Sequence, residues 1–128
     1  SSRTTRSAVA QLATLLARHE YQVIAVPFRG CLHLKSGATQ LDDDRMLVNP
    51  AWVDPATFAH HRCIEVHPDE PHAANALALP AGVIHPAHHP RTRQRMEAAG
   101  LRVQPLAMTE LAKAEAGVTC CSLILRTG

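Results

Sequence analysis

Aromatic side chains are scarce in these 128 residues: Tyr21, Phe28, Trp52 and Phe58 are the full set. With 46% of the chain hydrophobic, a core must be built almost entirely from small aliphatics. A dominant charge is also missing. Thirteen basic residues oppose 11 acidic ones, and the net charge of +2 supplies no large cationic field, which argues against a nucleic-acid partner. No apolar run approaches the roughly 20 residues of a membrane-spanning helix, so a soluble protein with no membrane partner is expected. Six glycines and nine prolines follow no period, which excludes a collagen-like or low-complexity chain. Disorder is excluded because Leu, Val and Ala recur in every stretch and can offset the ordering entropy. The length suits one core and is too short for two ordinary domains, so residues 1–128 are expected to form a single domain fragment.

The four cysteines, Cys31, Cys63, Cys120 and Cys121, show no CxxC spacing and no repeated framework. That argues against a zinc knuckle and against a disulfide scaffold. Neighbours on a strand point to opposite faces, so Cys120 and Cys121 cannot bridge each other without severe strain. A reducing, cytoplasmic compartment is the expectation. The opening Ser1-Ser2-Arg3-Thr4-Thr5 has no Met, no basic n-region and no apolar h-region, so it is not a signal peptide; such a start suggests a processed or excised piece.

What is present is a repeated pattern. Thr5 to His19 carries Val9, Leu12, Leu15 and Leu16 at helical spacing. Gln22 to Val26 reads as a buried strand stopped by Pro27, and Cys31 to Thr39 as a strand with Leu32 and Leu34 on one face and His33 and Lys35 on the other. Asp42-Asp43-Asp44 is a hairpin turn, Met46 to Val48 a second strand, Asp54-Pro55 the start of a short helix, and Arg62 to Val66 a third strand. The order then recurs. Ala73 to Leu79 and Gly82 to His85 form two strands, Pro90 to Ala99 a helix ended by Gly100, and Leu101 to Leu106 the next strand. Met108 to Lys113 is a helical turn or two, and Cys120 to Leu125 an apolar strand. A ββαβ pattern with a period of about 40 residues implies an α/β repeat architecture, here roughly two and a half units. A ring of repeats closes only when complete, so the open edges must pair with a further segment or a partner chain, or through homo-oligomer formation.

One constellation suggests chemistry. His33 stands in the first of these repeats and Thr119-Cys120-Cys121 follows Glu115-Ala116-Gly117 near the end. A thiolate with a nearby imidazole can perform nucleophilic catalysis if the fold brings them within reach. Other features have plainer explanations. His85, His88 and His89, and the His60-His61 pair, lack the spacing of a familiar zinc site. The Arg91 to Arg95 run reads as a solvated helix face, and the Asp42–Asp44 cluster as a solvated turn.

Cys31-Leu-His-Leu-Lys-Ser36 is similar to the LHLKS segment of the dimethylarginine dimethylaminohydrolase family, within the pentein (amidinotransferase) superfamily, and Gly117-Val-Thr-Cys-Cys-Ser-Leu-Ile124 resembles its TCCS segment. Ser2-Arg3-Thr4 resembles its SxRT segment and Ala73-Ala74-Asn75 its AAN segment. The resemblance covers only the C-terminal half of that family's chain, so it implies a partial pentein-type α/β propeller of ββαβ units. It assigns Cys120 as nucleophile, with Cys121 pointing into the core, and His33 as general acid/base. It further implies that Arg3 grips a substrate carboxylate and that Ala114 offers a backbone contact to the substrate amino group. Asn75, in the AAN segment, is expected to organise backbone near the site by structural hydrogen bonding rather than to touch substrate. No cofactor is required; zinc captured by Cys120 and His33 would inhibit. The carboxylates that hold the guanidinium, and a second Arg, would belong to the half preceding Ser1. The implied reaction is hydrolysis of dimethylarginine to citrulline and a methylamine. An arginine deiminase-like hydrolase and a non-catalytic propeller module are the alternatives.

Overall fold

The computed structural model describes residues 4–125. Two three-stranded sheets follow each other along the chain, each with an antiparallel pair and then a parallel one. In the first, β1 (Ala38–Gln40) pairs antiparallel with β2 (Arg45–Val48), which pairs parallel with β3 (Arg62–Glu65). In the second, β4 (Leu77–Leu79) pairs antiparallel with β5 (Gly82–Pro86), which pairs parallel with β6 (Val103–Leu106). A parallel pair needs a crossover. The 3-10 turn Pro55–Phe58 lies in the first crossover and helix α3 (Pro90–Ala98) in the second. The expected ββαβ repeat is therefore present twice. The open arrangement is that of a partial α/β propeller.

Local chemistry explains the boundaries. Asp42 Oδ1 accepts from the Asp44 and Arg45 amides at 3.0 and 2.8 Å while Oδ2 takes Arg45 Nε at 2.7 Å, which closes the β1–β2 hairpin. The Arg45 guanidinium holds the Asp42 carboxyl below the usual carboxylate range. Asp54 accepts from Ala56 N at 2.9 Å and Pro55 fixes the first φ of the 3-10 turn. Gly100, at φ 84°, ends α3: its amide bonds Glu97 O and the Leu101 amide bonds Met96 O.

The central strands carry the core. Leu47 of β2, Val83 of β5 and Met96 of α3 are buried together with Ala73, Ala74 and Ala76, so one apolar cluster is shared by both sheets. A second cluster, around Val48 and Val53, is flanked by Trp52 and Phe58. Helix α3 also bridges the two units by polar contacts. Arg95 Nη1 donates to Glu65 O and Val66 O, each at 3.0 Å, and Thr92 Oγ1 accepts from His67 N at 3.0 Å. Arg45 Nη1 reaches Ala99 O at 2.6 Å. The arginine run is thus only partly solvated. Arg91 pairs with Asp69, Arg93 lies 3.6 Å from Glu97, and Arg95 docks the helix.

Four expected elements differ. The Cys31–Thr39 strand is replaced by a helical turn, α2 (Leu34–Gly37), with the ladder starting only at Ala38. Ser36 N bonds His33 O at 2.9 Å, and this local bond outcompetes the Leu-His-Leu alternation, leaving Leu32 exposed. Gln22 to Val26 forms no ladder and Ile24 is exposed; the nearest pairing among the described residues is an isolated bridge from Phe28 to Val53. Ala73 and Ala74 lie in a buried turn, Asn75 and buried Ala76 follow without ladder bonds, and the strand begins at Leu77. Val118 to Cys121 is a turn, and Ser122 to Leu125 runs on without ladder bonds, with Leu123 93% exposed. A strand exists only where a neighbour accepts its hydrogen bonds, and among the described residues these two apolar end segments have none. Helix α1 (Arg6–Ala17), capped by Thr5 Oγ1 on Ala8 N at 3.1 Å, likewise buries no residue against the described chain. No helix among the described residues is long and apolar enough to cross a membrane.

Candidate active site

The loops after the first bridge, between the units and after α4 (Thr109–Lys113) surround a cleft of about 610 Å³. His33 lines it from the start of α2, where it occupies the N-cap with extended backbone and no side-chain capping bond. Its imidazole is therefore not consumed by the helix it precedes. Ala114 lines the opposite loop as the C-cap of α4. That helix ends with the Glu115 amide on Ala112 O and the Ala116 amide on Leu111 O, and Glu115 takes the left-handed φ of 56° usually left to glycine. The strain costs on the order of 1 kcal/mol. It turns residues 114–117 along the cleft rim.

Cys120 follows at the next turn and is exposed. Its Sγ lies 3.0 Å from Gly117 N, which donates to it, and 3.1 Å from Gly117 O. Gly117 lines the cleft, so the thiol sits at the rim, folded over the turn that carries it. Cys121 is exposed, which corrects its expected place in the core. Neither Cys120 nor His33 stands on a strand; both are delivered by turns. Arg3 lies outside the described residues.

Asn75 joins the two turns. Its Nδ2 donates to Lys35 O at 3.3 Å and to Thr119 Oγ1 at 3.0 Å, and its Oδ1 accepts from Thr119 N at 3.2 Å. The absence of a side chain at Gly117 makes room for this amide, since a Cβ there would lie 2.6 Å from Asn75 Cγ and Oδ1. Sequence reasoning gave Asn75 a backbone-organising role but did not identify its partners. The AAN segment was the only signal.

Histidines furnish the remaining wall. His72, His88 and His89 line the cleft, with His85 buried behind them. His85 Nε2 lies 2.9 Å from Ala73 O, so that nitrogen carries the proton and donates. His88 and His89 rings are 4.2 Å apart, His85 and His89 5.9 Å. Burial, with His88 and His85 nearby, pushes His89 down to about 4, and burial lowers His85 too. Among the described residues no group of three or more His, Cys, Asp or Glu is arranged to hold a metal ion. Cys31, to which sequence reasoning gave no role in the site, also lines the cleft. Burial raises its thiol, and Sγ donates to His33 O at 3.3 Å, which makes it a poor nucleophile and a support for the His33 backbone.

No family model matches the chain. Over 123 residues, 96% of its length, it is 32% identical to N(G),N(G)-dimethylarginine dimethylaminohydrolase from Pseudomonas aeruginosa, of which it covers 48%. The chain thus spans about half the length of the curated relative it matches. The solved structure of the Pseudomonas aeruginosa protein as a Cys-to-Ser mutant complexed with citrulline superposes with a TM-score of 0.83 at 31% identity, covering 93% of this chain and 47% of that one. A His-to-Gly dimethylarginine dimethylaminohydrolase in adduct with S-methyl-L-thiocitrulline gives a TM-score of 0.83 at 31% identity, covering 94% and 47%.

Proposed function

Because the chain is homologous to the C-terminal half of the dimethylarginine dimethylaminohydrolase family, we propose that it carries the nucleophile and the proton-transfer group of a cysteine-dependent amidinohydrolase acting on Nω-methylated arginines. The observation that carries this is the cleft itself: His33 and Ala114 line it, and the Cys120 sulfur rests on its Gly117 rim. The cysteine and histidine substituted in the two related structures stand as far apart in sequence as Cys120 and His33, which supports the assignment.

A guanidinium is a resonance-stabilised cation that resists attack, so the chemistry calls for a thiolate rather than an alcohol. Cys120 Sγ adds to the guanidino carbon to give a tetrahedral adduct. His33, as imidazolium, protonates the departing dimethylamine as its C–N bond breaks, leaving an alkylthiouronium on Cys120. Neutral His33 then takes a proton from water as the oxygen attacks the same carbon. Cleavage of the C–S bond returns the electron pair to sulfur as the hydroxyl proton passes to the released dimethylamine or solvent, and neutral citrulline leaves. One imidazole can serve both steps because it is the side chain suited to both giving and taking a proton. Arg3 would grip the substrate carboxylate bidentately, and the Ala114 carbonyl would accept from the substrate amino group.

Among the described residues nothing in the cleft supplies a carboxylate pair for the guanidinium; Glu115 is the one acidic lining residue. Residues 1–128 alone are therefore expected to show negligible turnover of dimethylarginine, and addition of the complementary half of the ring to restore it. Turnover by 1–128 alone overturns the need for that half. Reactivity tests the assignment directly: 2-chloroacetamidine should alkylate Cys120 and fail to do so in His33→Ala. An inert Cys120 would favour a non-catalytic propeller module instead.

A further inference from the structure

We propose that Asn75 is a positioning residue that sets the register between the proton-transfer turn and the nucleophile turn, a role that rests on the functional assignment just given. A single carboxamide spans the two. Its nitrogen holds the backbone two residues after His33, through Lys35 O, and both its atoms hold Thr119, the residue immediately before Cys120. No covalent path links these turns over fewer than 80 or so residues, so their relative placement must come from such cross-chain bonds.

The carboxamide is itself fixed on two sides. Buried His85 anchors Ala73 O, two residues before Asn75, at 2.9 Å. On the other side Gly117 closes over the amide so tightly that any side chain at 117 would collide with it, at 2.6 Å from Oδ1 and 2.8 Å from Nδ2. Only an amide meets the requirement. A carboxylate would keep the acceptor for Thr119 N–H but set a negative oxygen against the Lys35 carbonyl. A longer Gln would need space that Gly117 and Thr119 already occupy. Thr119 contributes through its N–H and hydroxyl, both of which Ser also offers.

The test measures alkylation of Cys120 in the full 128-residue chain, mixed with the complementary half of the ring that would supply the guanidinium-holding carboxylates, by two reagents, cationic 2-chloroacetamidine and neutral iodoacetamide. Asn75→Ala is expected to slow the amidine reaction at least tenfold and leave iodoacetamide within about twofold, with the urea midpoint shifted little enough that the chain stays folded. Asn75→Asp should behave like Asn75→Ala, whereas Thr119→Ser should stay within about threefold of the parent. Equal loss with both reagents, or no loss, overturns the proposal. Hydrogen exchange at the Thr119 amide decides it independently of the chemistry: protection should fall in Asn75→Ala and persist in Asn75→Asp. If the unsubstituted chain shows no preference for the amidine, the hydrolase assignment fails, and Thr119 protection surviving Asn75→Ala would then dispose of the Asn75 proposal as well.

Discussion

Acid should loosen this fold well before its carboxylates protonate. His89 is 9% exposed and held at about 4, against about 6.5 for a free imidazole. The groups facing it are His88 beside it, His85 of β5, His72 across the cleft and the Glu70 carboxylate; the last pulls upward but is outweighed by burial and the other imidazoles. The unfolded chain therefore binds a proton below pH 6.5 that the folded chain refuses until about pH 4. Stability is fully present above 6.5 and falls as pH drops through that window, by about 1.4 kcal/mol at pH 5.5 and about 2.5 kcal/mol at pH 4.5 from His89 alone. His85, also lowered by burial, adds in the same direction. For a chain of this size the first figure corresponds to about 5 °C in Tm. Thermal unfolding of the parent and of His89→Gln at pH 7.5, 6.5, 5.5 and 4.5 reads it out. His89→Gln removes the titrating group at an N-cap that makes no side-chain bond, so its Tm should depend less steeply on pH. A parent Tm that is flat from pH 7 to 5, or an equal slope in both proteins, refutes the reasoning.

Two substitutions test the packing. Gly30→Ala should destabilise by about 2 kcal/mol, because the residue sits at φ 73° and its new methyl would fall 2.4 Å from Trp52 Cδ1; a shifted urea midpoint with altered tryptophan fluorescence is the expected signature, and an unchanged midpoint counts against it. Met96→Ala empties a fully buried site shared by both sheets and should cost about 2–5 kcal/mol by the same assay, so a cost below about 1 kcal/mol would deny that α3 closes the core.

Elements with their own local signals were legible in the sequence. Pro90 and Gly100 bracket α3, Asp42 announces the hairpin, and Asp54-Pro55 opens the 3-10 turn, because in each case the deciding hydrogen bond lies within five residues. The candidate cleft was legible only through motif resemblance. Leu32-His33-Leu34 alternates like a strand, yet a bond from Ser36 N to His33 O, invisible to periodicity, turns the chain there. The apolar run after Cys120 has strand composition and lacks a partner among the described residues. Asn75 could not be placed because its partners lie 40 and 44 positions away. Side-chain bonds of that span leave no periodic trace.

Helix α3 gives the two repeats unequal standing. Through Arg95 and Thr92 it buckles the last strand of the first unit and the segment after it, while Arg45 ties that unit's hairpin to the helix's far end. Neither module is an interchangeable bead. Excised singly, the first would expose the carbonyls of Glu65 and Val66, and the second a guanidinium and a hydroxyl with nothing to receive them.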